Sequence, residues 1–327
     1  MTLLVVTIVA ALAFDFTNGF HDTANAVATS VSTRALSPRL AVLVAAVANL
    51  GGAFVTTAVA KTVGSGIIDA GLATPRTVLA AVLGAIVWNL LTWFFGLPSS
   101  SSHALIGGLV GAALAQSGRA GVQWHTLAHK VVIPALWAPA VAFVAAFAVL
   151  LAILWVFQRL TPGVANRSFR HGQLISGTWV AFTHGANDAQ KTMGVIALAL
   201  YSHGSISSFY IPTWVKIAAG VAIGLGTYVG GWRIMRTVGQ RVFKMDPPAG
   251  FSAQATAGAV IWASTKYGYP LSTTHVVSGA VMGVGATRRL SAVRWGVAGN
   301  IVLAWILTLP AAALVAALFW YPVQAIF

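Results

Sequence analysis

The chain of 327 residues is 58% hydrophobic and only 7% charged, where a soluble domain carries about 25% charged residues. So few charges cannot cover a water-facing surface, which excludes a soluble fold and turns most of the outside toward lipid. The absence of cysteine excludes disulfides and thiolate metal sites, and 19 Lys and Arg against 5 acids, all of them Asp, leave a formal charge of +14.

Cytoplasmic loops and contact with anionic lipid account for that charge, and it also suits an anionic cargo drawn by a positive field. The basic residues are spread over several short loops and form no soluble module, so nucleic acid is not an expected partner. Met1 to Ala13 lacks a basic leader region and runs directly into Asp15 and Asp22, so the first apolar segment, 3–33, reads as a membrane helix and not a cleaved signal. Apolar segments follow at 40–60, 77–95, 103–118 and 131–157, and then, beyond the basic stretch 158–173, at 174–200, 214–232, 251–266, 275–287 and 294–320. About 20 residues span a hydrocarbon core, and the arms 103–118, 251–266 and 275–287 fall short of that. Short arms around a polar, Pro-containing tip predict re-entrant hairpins, tolerated at membrane depth only where the irregular backbone lines a cavity or is buried in protein.

Two polar motifs recur in the same order. Phe16-Thr-Asn-Gly-Phe-His-Asp22 resembles Phe182-Thr-His-Gly-Ala-Asn-Asp188, at an offset of 182 − 16 = 166. Gly96-Leu-Pro-Ser-Ser-Ser-Ser-His103 resembles Gly268-Tyr-Pro-Leu-Ser-Thr-Thr-His275, at 268 − 96 = 172, and Gly107 and Gly111 recur as Gly279 and Gly283. Two matches nearly in register point to a duplicated chain. Each half reads as broken helix, helix, hairpin, helix; with a re-entrant hairpin it crosses three times, and an odd number inverts the second half. Arg159, Arg167 and Arg170 lie in 158–173, Arg233, Arg236, Arg241 and Lys244 in 233–250, and Arg288, Arg289 and Arg294 in 287–294, while 201–213 holds no Lys or Arg. Placing the basic loops in the cytoplasm puts 201–213 and both termini outside a plasma (inner) membrane. Two spanning helices in place of each hairpin would leave the loops on the same sides, so the charges support inversion and not re-entrance. The expected architecture is an all-α polytopic membrane protein with two inverted-topology repeats, 1–160 and 174–327, joined by a cytoplasmic linker at 161–173, each with a broken helix and a re-entrant helical hairpin.

Asp22 and Asp188 stand out because an ionisable group at the centre of a membrane helix costs about 2.5–3.5 kcal/mol, and the cost recurs at equivalent positions. Gly19 and Gly185 lie three residues before them, with Asn18 and Asn187 nearby, a composition that predicts unwound backbone in mid-segment. Broken midplane helices offer carbonyls and carboxylates to a cation and N–H groups to an anion; a surface loop between shorter helices is the competing reading. At Pro98 to His103 and Pro270 to His275, Pro followed by hydroxyls opens a helix. The positive dipole end, free N–H groups and clustered hydroxyls make an anion site, against ordinary capping by a single Ser. His103 and His275 either orient a hydroxyl, relay a proton or simply pack. His21 and His184 abut the Asp motifs at non-equivalent repeat positions, which argues against a shared role. The two G-x-x-x-G pairs read as close helix packing. Lys191, whose counterpart is Asn25, breaks the repeat: it neutralises Asp188, touches the anion or stands in for a coupling cation. Asp15 has Ala181 as its counterpart and is left out of the core site.

The segments Phe16 to Ser30 and His184 to Gly194, together with the paired hydroxyl tips, resemble the signatures of the inorganic phosphate transporter family over essentially the whole chain. The resemblance implies inverted repeats, a central orthophosphate site and cation-coupled symport by alternating access. By position, Asp22, Asn25 and Asp188 match the family's signature acidic and amide residues, and Ser100, Ser101, Ser102, Ser272, Thr273 and Thr274 its hairpin hydroxyls; these together with Lys191 are the expected substrate-binding residues, and Asp22, Asp188, Asn18 and Asn187 the expected cation-coupling ones. Many sodium-coupled members have Asn where this chain has Lys191; Gln190-Lys191 is similar to the bacterial low-affinity permeases, taken to be proton-coupled and to accept metal-phosphate complexes. A fixed ammonium where sodium would sit favours a proton as the coupling ion over sodium. No cofactor is expected beyond that ion. The expected partners are phosphate, the cation and membrane lipid, with a homodimer left open. A sulfate or other tetrahedral-oxyanion symporter is the alternative within transport. An intramembrane hydrolase would need one asymmetric nucleophile–base pair, which duplicated motifs do not offer, and a passive anion channel sits badly with midplane acids.

Overall fold

The computed structural model describes residues 1–327, and its regular elements are helical apart from one isolated bridge between Ile68 and Val122. The first half comprises α1 (Thr2–Ser32), α2 (Pro38–Gly52), α3 (Ala58–Gly66), α4 (Pro75–Phe94), α5 (Ser101–Ser117) and α6 (Trp124–Val156). The second comprises α7 (Pro162–Ser202), α8 (Thr213–Val229), α9 (Trp232–Arg241), α10 (Pro247–Lys266), α11 (Thr273–Arg288) and α12 (Trp295–Ile326). The chain is thus six helices followed by six more. Helices α1, α4, α6 and α12 are long and apolar enough to cross a membrane, and α8 with α9 forms a bent fifth candidate. Most of the predicted linker 161–173 is the first turns of α7.

Local sequence sets the helix starts. Thr74, just ahead of Pro75, forms a reciprocal capping box with Thr77 in the first turn of α4. Asp246 caps α10 by accepting from the Ala249 N–H, again ahead of Pro at the first position. Ser100 and Ser272 cap α5 and α11 by accepting from the N–H groups of His103 and His275.

Close glycine contacts repeat between the halves. A Cβ on Gly19 would run into the Ile223 carbonyl and one on Gly226 into that of Phe16; equivalently, Gly185 meets the Asn49 carbonyl and Gly52 that of Phe182. So α1 crosses α8 as α7 crosses α2. The G-x-x-x-G pairs do the same: Gly107 and Gly111 of α5 abut Leu309 and Ala313 of α12, and Gly279 and Gly283 of α11 abut Pro139 and Phe143 of α6. Each hairpin therefore packs on the last helix of the other half. Gly111→Val is expected to destabilise the protein by about 2 kcal/mol or more, since overpacking costs roughly 1–3 kcal/mol and the obstacle is backbone. Gly51→Ala, with nothing within 4 Å of the added carbon, is expected to be neutral or slightly stabilising. Thermal unfolding of the purified variants in detergent separates the two.

The hairpins α4–α5 and α10–α11 rise from opposite ends of the bundle. Thr7, near the start of α1, donates to the Pro75 carbonyl at the foot of the first hairpin (3.4 Å). Past the end of α1, Thr33 donates to Gln173 (2.8 Å), which donates to the Pro247 carbonyl at the foot of the second (3.0 Å). Both tips reach the middle of α1, where Ser101 and Thr274 each donate to Asp22. Two apolar clusters lie above and below this level. One takes Leu4, Ala11 and Phe14 of α1 with Ala189 and Met193 of α7; the other takes Ala24 and Val27 of α1 with Val180 and Ala181 of α7. Between them α1 presents Asp15, Asn18, His21 and Asp22, all buried.

One expectation is corrected. The helices bearing Asp22 and Asp188 are not broken: α1 runs for 31 residues and α7 for 41 without interruption. Gly19 and Gly185 serve close approach of neighbouring backbones, not unwinding. The breaks come one element later in each half, between α2 and α3 and at Gly230-Gly231, where α8 and α9 meet at 59° and Gly230 has φ +81, a value glycine adopts without strain.

Candidate functional site

Continuous helices present Asp22 and Asp188 as side chains, with no freed backbone. Asp22 Oδ2 accepts from Ser101 at 2.6 Å, and Ser101 also lies 2.6 Å from Asn18 Oδ1. Asp22 Oδ1 accepts from His21 Nδ1 at 2.7 Å and from Thr274 at 3.3 Å. Asn25 donates to Thr274 at 2.8 Å. Asp22 thus joins α1 to the tips of both hairpins. On the far side of His21, Nε2 lies 3.2 Å from Thr92 and 3.3 Å from Ser99.

On α7, Lys191 Nζ donates to Asp188 Oδ1 (2.7 Å), to the Leu271 carbonyl (2.9 Å) and to the Ser102 hydroxyl. Ser102 itself lies 3.2 Å from the same Leu271 carbonyl. The ammonium therefore neutralises Asp188 and holds α7 to both tips. It is among the largest fully buried side chains. Asn187 donates to Thr265 (2.9 Å) and the Tyr269 carbonyl (3.2 Å), bracing the second tip. Asp22, His184 and Asp188 bring ligand-type atoms within 4.8 Å of one another, so the two equivalent acids meet across the α1–α7 contact.

The capping hydroxyls of Ser100 and Ser272 are occupied by backbone. Ser101, Ser102 and Thr274 turn to side chains of the centre, and the buried Thr273 hydroxyl has no partner. The first N–H groups of a helix have no acceptor within it, and those of Ser101, Ser102, Thr273 and Thr274 have none elsewhere in the backbone. Beside these donors, Asn25 Oδ1, Asn187 Oδ1, Asp188 Oδ2, His184 Nε2 and Thr192 Oγ1 are also buried and unpartnered. Leaving a buried polar atom unpaired costs about 1–3 kcal/mol, so this concentration fits a layer completed by a polar ligand. The two helix starts supply N–H and O–H donors for an oxyanion, and Lys191 supplies charge. His103 and His275 lie together behind the tips, ring centroids 4.7 Å apart, with His275 stacked on Trp305.

A model of the phosphate transporter family matches residues 18–316. The chain belongs to that family. Among relatives of this transporter, a Rhizobium meliloti (strain 1021) protein described as a "probable low-affinity inorganic phosphate transporter" is 50% identical over 98% of this chain and 96% of its own. A Bacillus subtilis (strain 168) protein of the same description is 44% identical over 100% and 99%, and one from Mycobacterium bovis is 52% identical over 96% and 76%. A solved structure, "The sodium-dependent phosphate transporter", superimposes with a TM-score of 0.89 at 26% identity, covering 100% of both chains. The family fixes the class: a multi-pass membrane transporter and not an enzyme.

Three residues of this transporter's centre were set aside by sequence reasoning. His184 contacts Asp188 (3.6 Å) and Asn49 (2.9 Å); the i, i+4 spacing on an unbroken helix was the available signal. His21 bonds its neighbour Asp22. Asp15 is fully buried, neither oxygen has a partner, and Thr192, Asn18, Asp188 and Lys191 surround it. Comparing repeats hides all three, because none has an equivalent in the other half.

Proposed function

We propose that the chain is a symporter of inorganic phosphate coupled to protons, with phosphate bound between the two hairpin tips and the Asp22–Asp188 pair. The observation that carries the reading is the buried layer where hydroxyls and helix N-termini from both hairpins converge beside Lys191, with several polar atoms left unpartnered. The relatives' descriptions as low-affinity inorganic phosphate transporters support the substrate. A structural neighbour is sodium-dependent, but Lys191 already fills the space beside Asp188 with an ammonium. The unbroken α1 and α7 keep their carbonyls in helical bonds, so a sodium shell would have to be built from side-chain oxygens such as Asn25 Oδ1, Asn187 Oδ1 and Asp188 Oδ2, beside that ammonium. A proton needs no shell.

In this reading the halves 1–160 and 174–327 are inverted repeats with re-entrant hairpins, and rocking of one unit against the rest alternates access. The end bearing 158–173, 242–250 and 287–294 lies in the cytoplasm and both termini lie outside; Arg233, expected from the sequence in the same loop, instead belongs to α9 and donates to the Phe94 carbonyl of the first hairpin. Asp22 and Asp188 take part in cation coupling, with Asn18 and Asn187 holding the tips against them. The test is labelled phosphate uptake into liposomes holding the purified protein, with imposed proton or sodium gradients. Accumulation that follows the proton gradient and ignores sodium is expected; the reverse contradicts proton coupling. Excess sulfate is expected to leave uptake largely intact, and equal competition would favour a general oxyanion carrier.

A further inference from the structure

The hydrogen bonds around His184 fix which of its nitrogens is free. Thr227 donates its hydroxyl hydrogen to the Ile223 carbonyl at 2.8 Å. Its oxygen then accepts from Asn49 Nδ2, also at 2.8 Å. That orients the Asn49 amide and leaves Asn49 Oδ1 as the acceptor 2.9 Å from His184 Nδ1. Nδ1 therefore carries the hydrogen, and in the neutral ring Nε2 presents a lone pair. Nε2 lies 3.6 Å from Asp188 Oδ2, and neither atom has a hydrogen-bond partner. Two acceptors, both buried, thus face each other with nothing between them.

We propose that the coupling proton binds His184 at Nε2, where it is shared with Asp188 Oδ2. The proposal rests on the proton-symport reading above. On binding, Nε2 gains the N–H bond, the ring becomes imidazolium, and Asp188 gains a second charge-assisted partner opposite Lys191. The charged groups in the layer around His184 are Asp22 and Asp15 from α1, Asp15 lying near Asp188 and Lys191, and Asp188 and Lys191 from its own helix. His21 lies behind Asp22 and bonds it. The other helices packed on α7 carry their charges elsewhere: Arg39, Lys61 and Lys266 are exposed, Lys216 is half-exposed, and the half-buried Arg76 turns to the Phe327 carbonyl at the chain's end. With a neutral ring that layer holds more carboxylates than ammonium groups, and an imidazolium raises its charge by one. An anion enters a less negative centre more readily, and linkage makes the effect mutual: the proton favours phosphate and phosphate favours the proton. That reciprocity is what symport requires, and Asn49, by fixing the tautomer, is the positioning residue.

The experiment measures binding of inorganic phosphate to the purified full chain by calorimetry between pH 6 and 8, in buffers of different ionisation enthalpy, for wild type, His184→Gln and Asn49→Leu. The same proteins are assayed in liposomes for proton-driven accumulation and for phosphate exchange without a gradient. Wild type is expected to take up about one more proton per phosphate than His184→Gln, corresponding to about a tenfold steeper fall in affinity per pH unit. His184→Gln, with a permanent uncharged donor, is expected to lose proton-driven accumulation, and whatever exchange it retains is expected to lose the pH dependence seen in wild type. Asn49→Leu keeps His184 but frees its tautomer, so the neutral ring can itself donate to Asp188, and the linked proton number is expected to fall below that of wild type. Proton-driven accumulation and unchanged proton linkage in His184→Gln overturn the assignment while leaving proton symport intact. Wild-type uptake that follows sodium alone overturns both.

Discussion

Asp22→Asn is expected to lower phosphate uptake on the order of 100-fold or more while the protein remains folded. The carboxylate accepts from Ser101, His21 and Thr274, three groups from α1, the first hairpin and the second. An amide in its place has one acceptor and one donor, so at least one of those donors would face an N–H. Hydrogen bonds to charged groups contribute about 1.5–3 kcal/mol each, and each 1.4 kcal/mol is about tenfold; losing two reaches the stated size. The fold is expected to persist because the helices meet through glycine contacts above and below the site, including Gly19 on Ile223 and Gly185 on Asn49. Initial uptake rates per reconstituted protein, with size-exclusion profiles as the folding control, measure this. A rate within tenfold of wild type would remove Asp22 from the transport machinery.

Lys191→Met is expected to destabilise the protein by about 3–5 kcal/mol, the cost of leaving one member of a buried ion pair uncompensated. The side chain is 1% exposed, and its three partners belong to α7 and to both tips. The double variant Lys191→Met with Asp188→Asn is expected to recover most of the stability and none of the transport, because the charge is balanced but the donors are gone. Lys191→Asn tests the same point differently. It empties the ammonium's place beside Asp188, so sodium chloride is expected to raise the unfolding midpoint of this variant relative to choline chloride, with no such difference in wild type. Equal midpoints for Lys191→Met and wild type would show that Asp188 does not depend on this ammonium.

The legible part of the molecule was what each residue reports about its own chain. Scarcity of charge gave the membrane class, and the recurrence of Phe16 to Asp22 and of Gly96 to His103 picked out the helices and hairpin tips that converge. Tip hydroxyls were recognised as a group, but the sequence does not separate a capping Ser100 from a Ser101 that reaches Asp22; only the local backbone sorts them. The glycines beside the aspartates misled for a related reason. Glycine permits unwinding, and it equally permits contact with a carbonyl of another helix, and the deciding neighbour, Ile223 or Asn49, lies far away in the chain. Duplication was a filter as well as a guide. It drew attention to paired residues and away from His184 and Asp15, which lie in one half each and whose surroundings are assembled from both.

The central claim is an oxyanion site where the two hairpin tips meet Asp22 and Lys191. Crystals grown with arsenate, a tetrahedral oxyanion close to phosphate in size and with an anomalous signal, test it most directly. The account predicts an anomalous peak in the buried layer whose ligand oxygens lie within about 3 Å of the Ser101, Ser102 and Thr273 donors and of Lys191 Nζ. A peak found only at the basic end, around the exposed Arg288, Arg289 and Arg294, with none between the tips, would contradict it.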